Sequence, residues 1–282
     1  MKSKITFVAR QGHTIDRNLL SDLNGQITDA RFSPDNRALT IASPQQPTRD
    51  MRDDFINKHN DIDVFVYDAD LPPPKLLMAD MDSTIITGET LDELAAHFDL
   101  RDEIATITDK AMRGEIDFKA ALKARVAMLQ GLEESALDKV IQGLTLSAGA
   151  TELLRGCKAR GITCILVSGG FTHVTGYIAE KMGFDAHYGN TLLVKNGRLT
   201  GKVKMPIQDK STKLEQLAAW AEKLKIPLAE TMAVGDGAND LPMLKAAGYG
   251  IAYKAKPIVA SETHLQLNHT DLSALLYLMP PK

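Results

Sequence analysis

The chain has 282 residues, 44% of them hydrophobic, and a formal net charge of -3, which is enough material for about two domains with a sizeable core. That charge leaves no basic excess to release counterions from DNA or RNA, so nucleic acid is not an expected partner. The amino terminus has only a short apolar run before Arg10, too short for a secretory signal, and no apolar stretch is long enough to span a bilayer. A cytoplasmic protein is expected.

Residues 5–9 read as a strand, 14–23 as a helix, 30–32 and 38–42 as a hairpin turned by Pro34-Asp35-Asn36, 49–58 as a helix and 64–67 as a strand. The βαββαβ order predicts a split βαβ sandwich over residues 1–71. It resembles the ACT-type regulatory modules of amino-acid metabolic enzymes, but the glycine-rich effector loop usual after their first strand is missing. A structural or homodimer-forming role is therefore expected of it ahead of ligand binding. The prolines of Asp70-Leu71-Pro72-Pro73-Pro74 cannot continue a regular element, which places a boundary there and a second unit over 72–282.

Lys75-Leu76-Leu77-Met78-Ala79 reads as a short apolar strand, and from there strands and helices alternate as in a parallel sheet. Residues 91–98, 101–113, 118–129 and 133–143 read as helices, the first opened by the capping box Thr90-Leu91-Asp92-Glu93. This block, 89–144, interrupts a core made of 75–88 and 145–282 and is expected to be a lid, since lids keep water from the chemistry. Residues 162–167 form a strand ending in Ser168-Gly169-Gly170, residues 231–234 another ending in Gly235-Asp236-Gly237, and Asn196-Gly197 marks a tight hairpin. Cys157 and Cys164 fall in a helix and the following strand, and two thiols in so long a chain read as reduced core residues. The expected fold class is α/β: a doubly wound parallel sheet with an inserted helical cap, preceded by the α+β unit.

Asp80-Met81-Asp82-Ser83-Thr84 follows the first of these strands. On an extended segment, residues two apart point the same way about 6 to 7 Å from each other, so both acids can address one ligand at the carboxyl edge where open α/β sheets bind. Bare neighbouring charges oppose each other's ionisation, whereas a divalent cation and a phosphate would use both. Ser168, Gly169 and Gly170 form a hydroxyl and amide cradle suited to phosphate. Asp236, Asn239 and Asp240 stand at a third strand end, and such hard oxygen donors suit Mg²⁺, with no Cys or His set of zinc spacing in competition. Taken singly, other candidates have ordinary readings. Lys213 is a solvated helix charge, Arg125 flanks an apolar helix face, Glu89 favours a helix dipole, and Met112 and Phe118 are lid core. His173 fits no role.

Taken together, Asp80-x-Asp82-x-Thr84, Ser168-Gly169-Gly170, Lys213 and Gly235-Asp236-Gly237-Ala238-Asn239-Asp240 resemble the four motifs of the haloacid dehalogenase superfamily, over roughly residues 75–282. The resemblance implies an aspartyl-phosphate on Asp80 and proton transfer by Asp82. It implies Mg²⁺ held by the Asp80 carboxylate, the Asp82 carbonyl and Asp236, with Asp240 orienting the metal's waters. Lys213, Ser168, Gly169, Gly170 and Asn239 would hold the phosphoryl oxygens. Within the superfamily, the lid with Glu89, Phe118 and Arg125 looks like the phosphoserine phosphatases, which complete the phosphorylated route to serine. That likeness implies O-phosphoserine as substrate, its ammonium on Glu89, its carboxylate on Arg125, and Phe118 and Met112 closing over it. Two other readings stay open: phosphoryl transfer to a hydroxy amino acid such as homoserine, and an amino-acid sensor working through residues 1–70.

Overall fold

The computed structural model describes residues 2–16, 29–43, 59, 61–98, 100–112 and 115–280. Its first four strands, β1 (Ser3–Ala9), β2 (Asp29–Phe32), β3 (Ala38–Ser43) and β4 (Ile62–Asp68), form one antiparallel sheet in the order β2-β3-β1-β4. This is the sheet order of a split βαβ sandwich. The helix expected over 14–23 does not begin at Thr14, because Thr14 to Asp16 lie outside regular structure. Its remainder, and the helix expected over 49–58, lie outside the described residues.

Period-two alternation buries both faces of this sheet. Ile5, Phe7, Leu39, Ile41 and Val64 pack together on one face, while Val8, Ala38 and Phe65 join the core of the following unit. Polar contacts fix the same junction. The buried Asp63 carboxylate accepts from the N–H groups of Asn268, His269 and Thr270 and from the Thr270 hydroxyl, and Arg37 donates to Asp271 and Ser273. The Tyr249 hydroxyl reaches the carbonyl of Leu71, so the proline-rich segment runs along the surface it connects.

The second sheet begins with β5 (Leu76–Ala79). Four helices follow, α1 (Thr90–His97), α2 (Arg101–Met112), α3 (Phe118–Ala127) and α4 (Ala136–Gly143), and they form the cap. The chain then returns through α5 (Ala150–Lys158), β6 (Thr163–Phe171), α6 (Thr172–Met182) and β7 (Ala186–Asn190), and the hairpin β8 (Leu192–Lys195) with β9 (Arg198–Val203) comes next. It continues with α7 (Lys210–Leu224), β10 (Thr231–Gly235), α8 (Leu241–Ala246), β11 (Tyr249–Tyr253), α9 (Pro257–Glu262) and β12 (Leu265–Leu267), and a 3-10 helix over Leu272–Leu278 follows. The order β12-β11-β10-β5-β6-β7 is parallel throughout, with β5 in the interior.

Being central, β5 is buried on both faces, which is why it reads as an unbroken apolar run. Leu76 and Met78 pack with Leu217 and Met243 on one side, and Leu77 and Ala79 with Leu153, Cys157 and Leu272 on the other. Burying each such Leu or Met side chain contributes about 1.5 to 3 kcal/mol. Cys157 and Cys164 are free thiols in this core. Asn196 and Gly197 both adopt positive φ, 53° and 70°, as the tight turn between β8 and β9 requires. Among the described residues no helix is long and apolar enough to cross a membrane.

The capping box expected at Thr90 does not form. Glu89 precedes α1 without capping it, and both the N–H and hydroxyl of Thr90 go to the Asp82 carboxylate, at 2.8 and 2.5 Å. The Asp82 carboxylate takes the N–H that the Glu93 side chain would accept in a capping box, and it also occupies the Thr90 hydroxyl. The fourth cap helix starts at Ala136, because Glu133 is drawn into a bridge with Arg198 of the hairpin.

Candidate active site

The carboxyl edge of the parallel sheet gathers the candidate residues. Asp80 leaves β5 beside β10, its N–H bonded to the Val234 carbonyl at 3.0 Å. Asp80 and Asp82 each keep extended backbone angles, φ -67°, ψ 158° and φ -66°, ψ 137°, but the strand does not run on through them. The chain turns at once into a single wide turn, Met81–Ile85, closed by the Ile86 N–H on the Met81 carbonyl at 3.0 Å. Asp80 caps that turn by accepting from the Met81 N–H, and Ser83 takes a positive φ of 54°. The turn sends the two acids to different partners. Asp80 is buried against Lys213, while Asp82 faces Ser168, whose hydroxyl donates to its Oδ2 at 2.9 Å.

Lys213 overturns its ordinary reading as a solvated charge. It sits in the first turns of α7, which Asp209 caps, and is 2% exposed. Its Nζ lies 2.6 Å from Oδ1 of Asp80 and 2.6 Å from Oδ1 of Asp240. Asp240 is held by the Gly237 N–H on its other oxygen, and Asp236 accepts from Thr84. This packing explains Gly235: a Cβ there would stand 2.4 Å from the Asp240 carboxyl carbon. Asn239 is exposed, with its amide oxygen turned back over Gly237.

Oxygen atoms of Asp80, Asp236 and Asp240 lie within 4.8 Å of one another. Three buried carboxylates share one contacting ammonium, that of Lys213, and the imbalance shows in the proton affinities of Asp80 and Asp236. Burial, then the charge of Asp240, pushes Asp80 well above the usual carboxylate range and raises Asp236. Burial would lower the Lys213 ammonium, but Asp240 and Asp80 outweigh it and raise it. A pocket with all-oxygen donors and a deficit of positive charge fits a hard divalent cation.

The cap closes the other side. Phe118, at the start of α3, holds its ring against Gly169, so that a Cβ on Gly169 would meet it at 3.4 Å. The adjacent Lys119 pairs with Asp209 at 2.9 Å, tying α3 to the cap of α7. Glu89 accepts from Ser83 at 3.0 Å, and although the residue is exposed its carboxyl end is desolvated. That desolvation, with the nearby charge of Asp82, raises it to about 7. Arg125 is half-buried on α3, which lowers it, with Asp92 and Glu89 opposing the shift. The charge of Glu89 therefore reaches Arg125. The Met112 side chain lies outside the described residues.

The Gly170 N–H donates to Ser168 Oγ at 2.8 Å. His173 pairs with Asp138 at 2.8 Å, linking α6 to the cap helix α4. Sequence reasoning passed over Asn190 and Lys256 and read Thr90 only as a helix cap. Lys256 follows β11 and tempers the upward shifts of Asp236 and Glu89. Its signal was available, since it lies beyond a fourth strand end on the same sheet edge. Asn190 carried none.

The family model of haloacid dehalogenase-like hydrolases matches residues 77–245. A phosphoserine phosphatase of Streptomyces coelicolor is 45% identical over 205 residues, which is 73% of this chain but only 50% of that protein. A phosphoserine phosphatase of Lactococcus lactis is 43% identical over 71% of this chain and 93% of its own length. The crystal structure of a family hydrolase from Salmonella enterica serovar Typhi superposes with a TM-score of 0.89 at 31% identity, covering 100% of this chain and 99% of that one, the amino-terminal sheet included.

Proposed function

We propose, because the chain belongs to the haloacid dehalogenase-like hydrolases, that it hydrolyses O-phosphoserine to serine and phosphate through an aspartyl-phosphate on Asp80. The observation that carries this reading is the buried cluster of Asp80, Lys213, Asp236 and Asp240 beneath a cap that offers one anion, Glu89, and one cation, Arg125. Relatives bearing the phosphoserine phosphatase name support the substrate.

Asp80 attacks phosphorus, forming a bond from a carboxylate oxygen to phosphorus as the bond to the serine oxygen breaks. Asp82 gives its proton to that leaving oxygen. In the second step water attacks the same phosphorus, Asp82 takes the water's proton, and the Asp80 carboxylate is released. Lys213, Ser168, Gly169, Gly170 and Asn239 are assigned to the phosphoryl oxygens, each preorganised donor being worth about 3 to 4 kcal/mol of barrier. Mg²⁺, held by Asp80, the Asp82 carbonyl and Asp236 with Asp240 behind them, would supply the positive charge that keeps Asp80 ionised and offsets the phosphate.

Substrate choice falls to the cap. Glu89 takes the ammonium, Arg125 clamps the carboxylate with paired bonds, and Phe118 with Met112 excludes water. Incubation with Mg²⁺ and a panel of phosphoserine, phosphothreonine, phosphoethanolamine and small sugar phosphates is expected to release phosphate fastest from phosphoserine. Arg125→Ala should raise KM for phosphoserine by about 10²-fold while leaving phosphoethanolamine, which has no carboxylate, within about threefold. Equal rates across the panel would remove the recognition model and leave the phosphatase.

A pH signature follows from Glu89. Its carboxyl, raised to about 7, is protonated in acid and ionises as pH rises through that value, so the ammonium is bound best above it. KM for phosphoserine is expected to fall as pH rises through about 7, and Glu89→Gln should flatten that limb. The limb persisting unchanged in the variant would assign it to the substrate phosphate instead.

A further inference from the structure

Asn190 ends β7 with 1% exposure. Its side chain makes three bonds, all to backbone. Nδ2 donates to the Gly169 carbonyl at 2.9 Å and to the Gln208 carbonyl at 3.2 Å, and Oδ1 accepts from the Gln208 N–H at 2.8 Å. Gly169 adjoins Ser168. Gln208 precedes Asp209, the cap of the helix that carries Lys213. One buried amide therefore braces the two segments that deliver Ser168 and Lys213, which are 45 residues apart in sequence.

The bond to Gly169 has a direction. A trans peptide points the Gly169 carbonyl and the Gly170 N–H in opposite directions within one rigid plane, so holding the carbonyl aims the N–H. That N–H donates to Ser168 Oγ at 2.8 Å, and Ser168 Oγ donates to Asp82 Oδ2 at 2.9 Å. Every proton in the chain points from Asn190 toward Asp82, and in a chain of this sense each bond polarises the next.

We propose that Asn190 is a positioning residue for the reaction: acting through the Gly169–Gly170 peptide, it holds the Ser168 hydroxyl on Asp82 and keeps that pair in register with Lys213. The proposal rests on the phosphatase reading and adds a residue to it that touches no substrate. An Asn that served only as a strut would contribute to stability. One that works through Ser168 also contributes to rate, and its effect depends on Ser168 being present.

A double-mutant cycle separates the two. Asn190→Ala is expected to lower kcat by about 10- to 100-fold with KM changed by less than about threefold, the scale of a misplacement of about 1 Å. In a Ser168→Ala background, where the chain is already cut, the same substitution should cost less than about threefold. Equal losses in both backgrounds overturn the proposal, as does a lowered melting temperature with kcat per folded molecule unchanged. Should Asn190→Ala prove insoluble, Asn190→Ser goes through the same cycle with the same criteria. Turnover is read with both phosphoserine and p-nitrophenyl phosphate, and binding of inorganic phosphate to the Mg²⁺-loaded protein is followed by calorimetry. A wild type inert toward phosphoserine would end the substrate reading. The proposal about Asn190 would still be decided by the same cycle in kcat for p-nitrophenyl phosphate, with phosphate binding expected to stay within about threefold.

Discussion

Asp80→Asn is expected to reduce turnover by about four orders of magnitude or more, since it removes the group that forms the covalent bond. The substitution is nearly isosteric, and Asp80 is 5% exposed at the end of the central strand, so shape and packing are retained. Its Oδ1 accepts from the Met81 N–H and from Lys213, and an amide oxygen in that place can accept from both. The metal-free variant should be no less stable than the wild type, because one of three mutually repelling carboxylates is gone. Acid-quenched wild type incubated with phosphate-labelled substrate should carry label on the protein, and Asp80→Asn should carry none. Full activity in the variant would refute the nucleophile assignment outright.

Lys213→Met should lose both rate and stability. Its ammonium touches Asp80 and Asp240 at 2.6 Å each, and removing it leaves three buried carboxylates with no contacting cation. Deleting one partner of a buried pair costs about 3 to 5 kcal/mol, and losing a charge-stabilising donor costs about 10²- to 10³-fold in kcat. The pH dependence follows from the direction of each shift. Lys213 is raised in the folded chain, so its contribution is complete below its unfolded value and is lost only in strong alkali, leaving it constant near neutrality. Asp80 and Asp236 are also raised, so the folded state holds their protons more tightly, and stability falls as pH climbs above the ordinary carboxylate range. Without metal, Lys213→Met should lose more stability than wild type between about pH 5 and pH 8, and Mg²⁺ should recover much of it. Thermal melts with chelator and with Mg²⁺ at both pH values measure this; identical slopes for the two proteins would show that Lys213 does not offset those charges.

Much of the fold was legible because its signals are local. The apolar run of β5 is what a strand buried on two faces requires, and Asn196-Gly197 is what a tight hairpin requires. The misreadings also have local causes. The Thr90 capping box has the right residues, yet a carboxylate from the preceding turn takes both donors. Asp80 and Asp82 keep extended backbone angles, yet the strand ends at Ala79 and a turn with a left-handed Ser83 takes over. Periodicity cannot anticipate such a turn, since its cost is met by contacts made elsewhere.

The sequence by itself determined the kinds of chemistry available: acids at strand ends, a hydroxyl beside paired glycines, and no zinc-type donor set. Those are properties of residue type and spacing along single strands. Only the tertiary structure decided which of these groups meet. Parallel strand order brings Asp80, Asp236 and Asp240 to one edge, burial makes the Lys213 ammonium their partner, and Asn190 joins two motifs through backbone atoms that leave no trace in composition. Burial and the approach of distant charges set the ionisation of Asp80, Asp236 and Lys213, and both are created by folding, not by the order of residues.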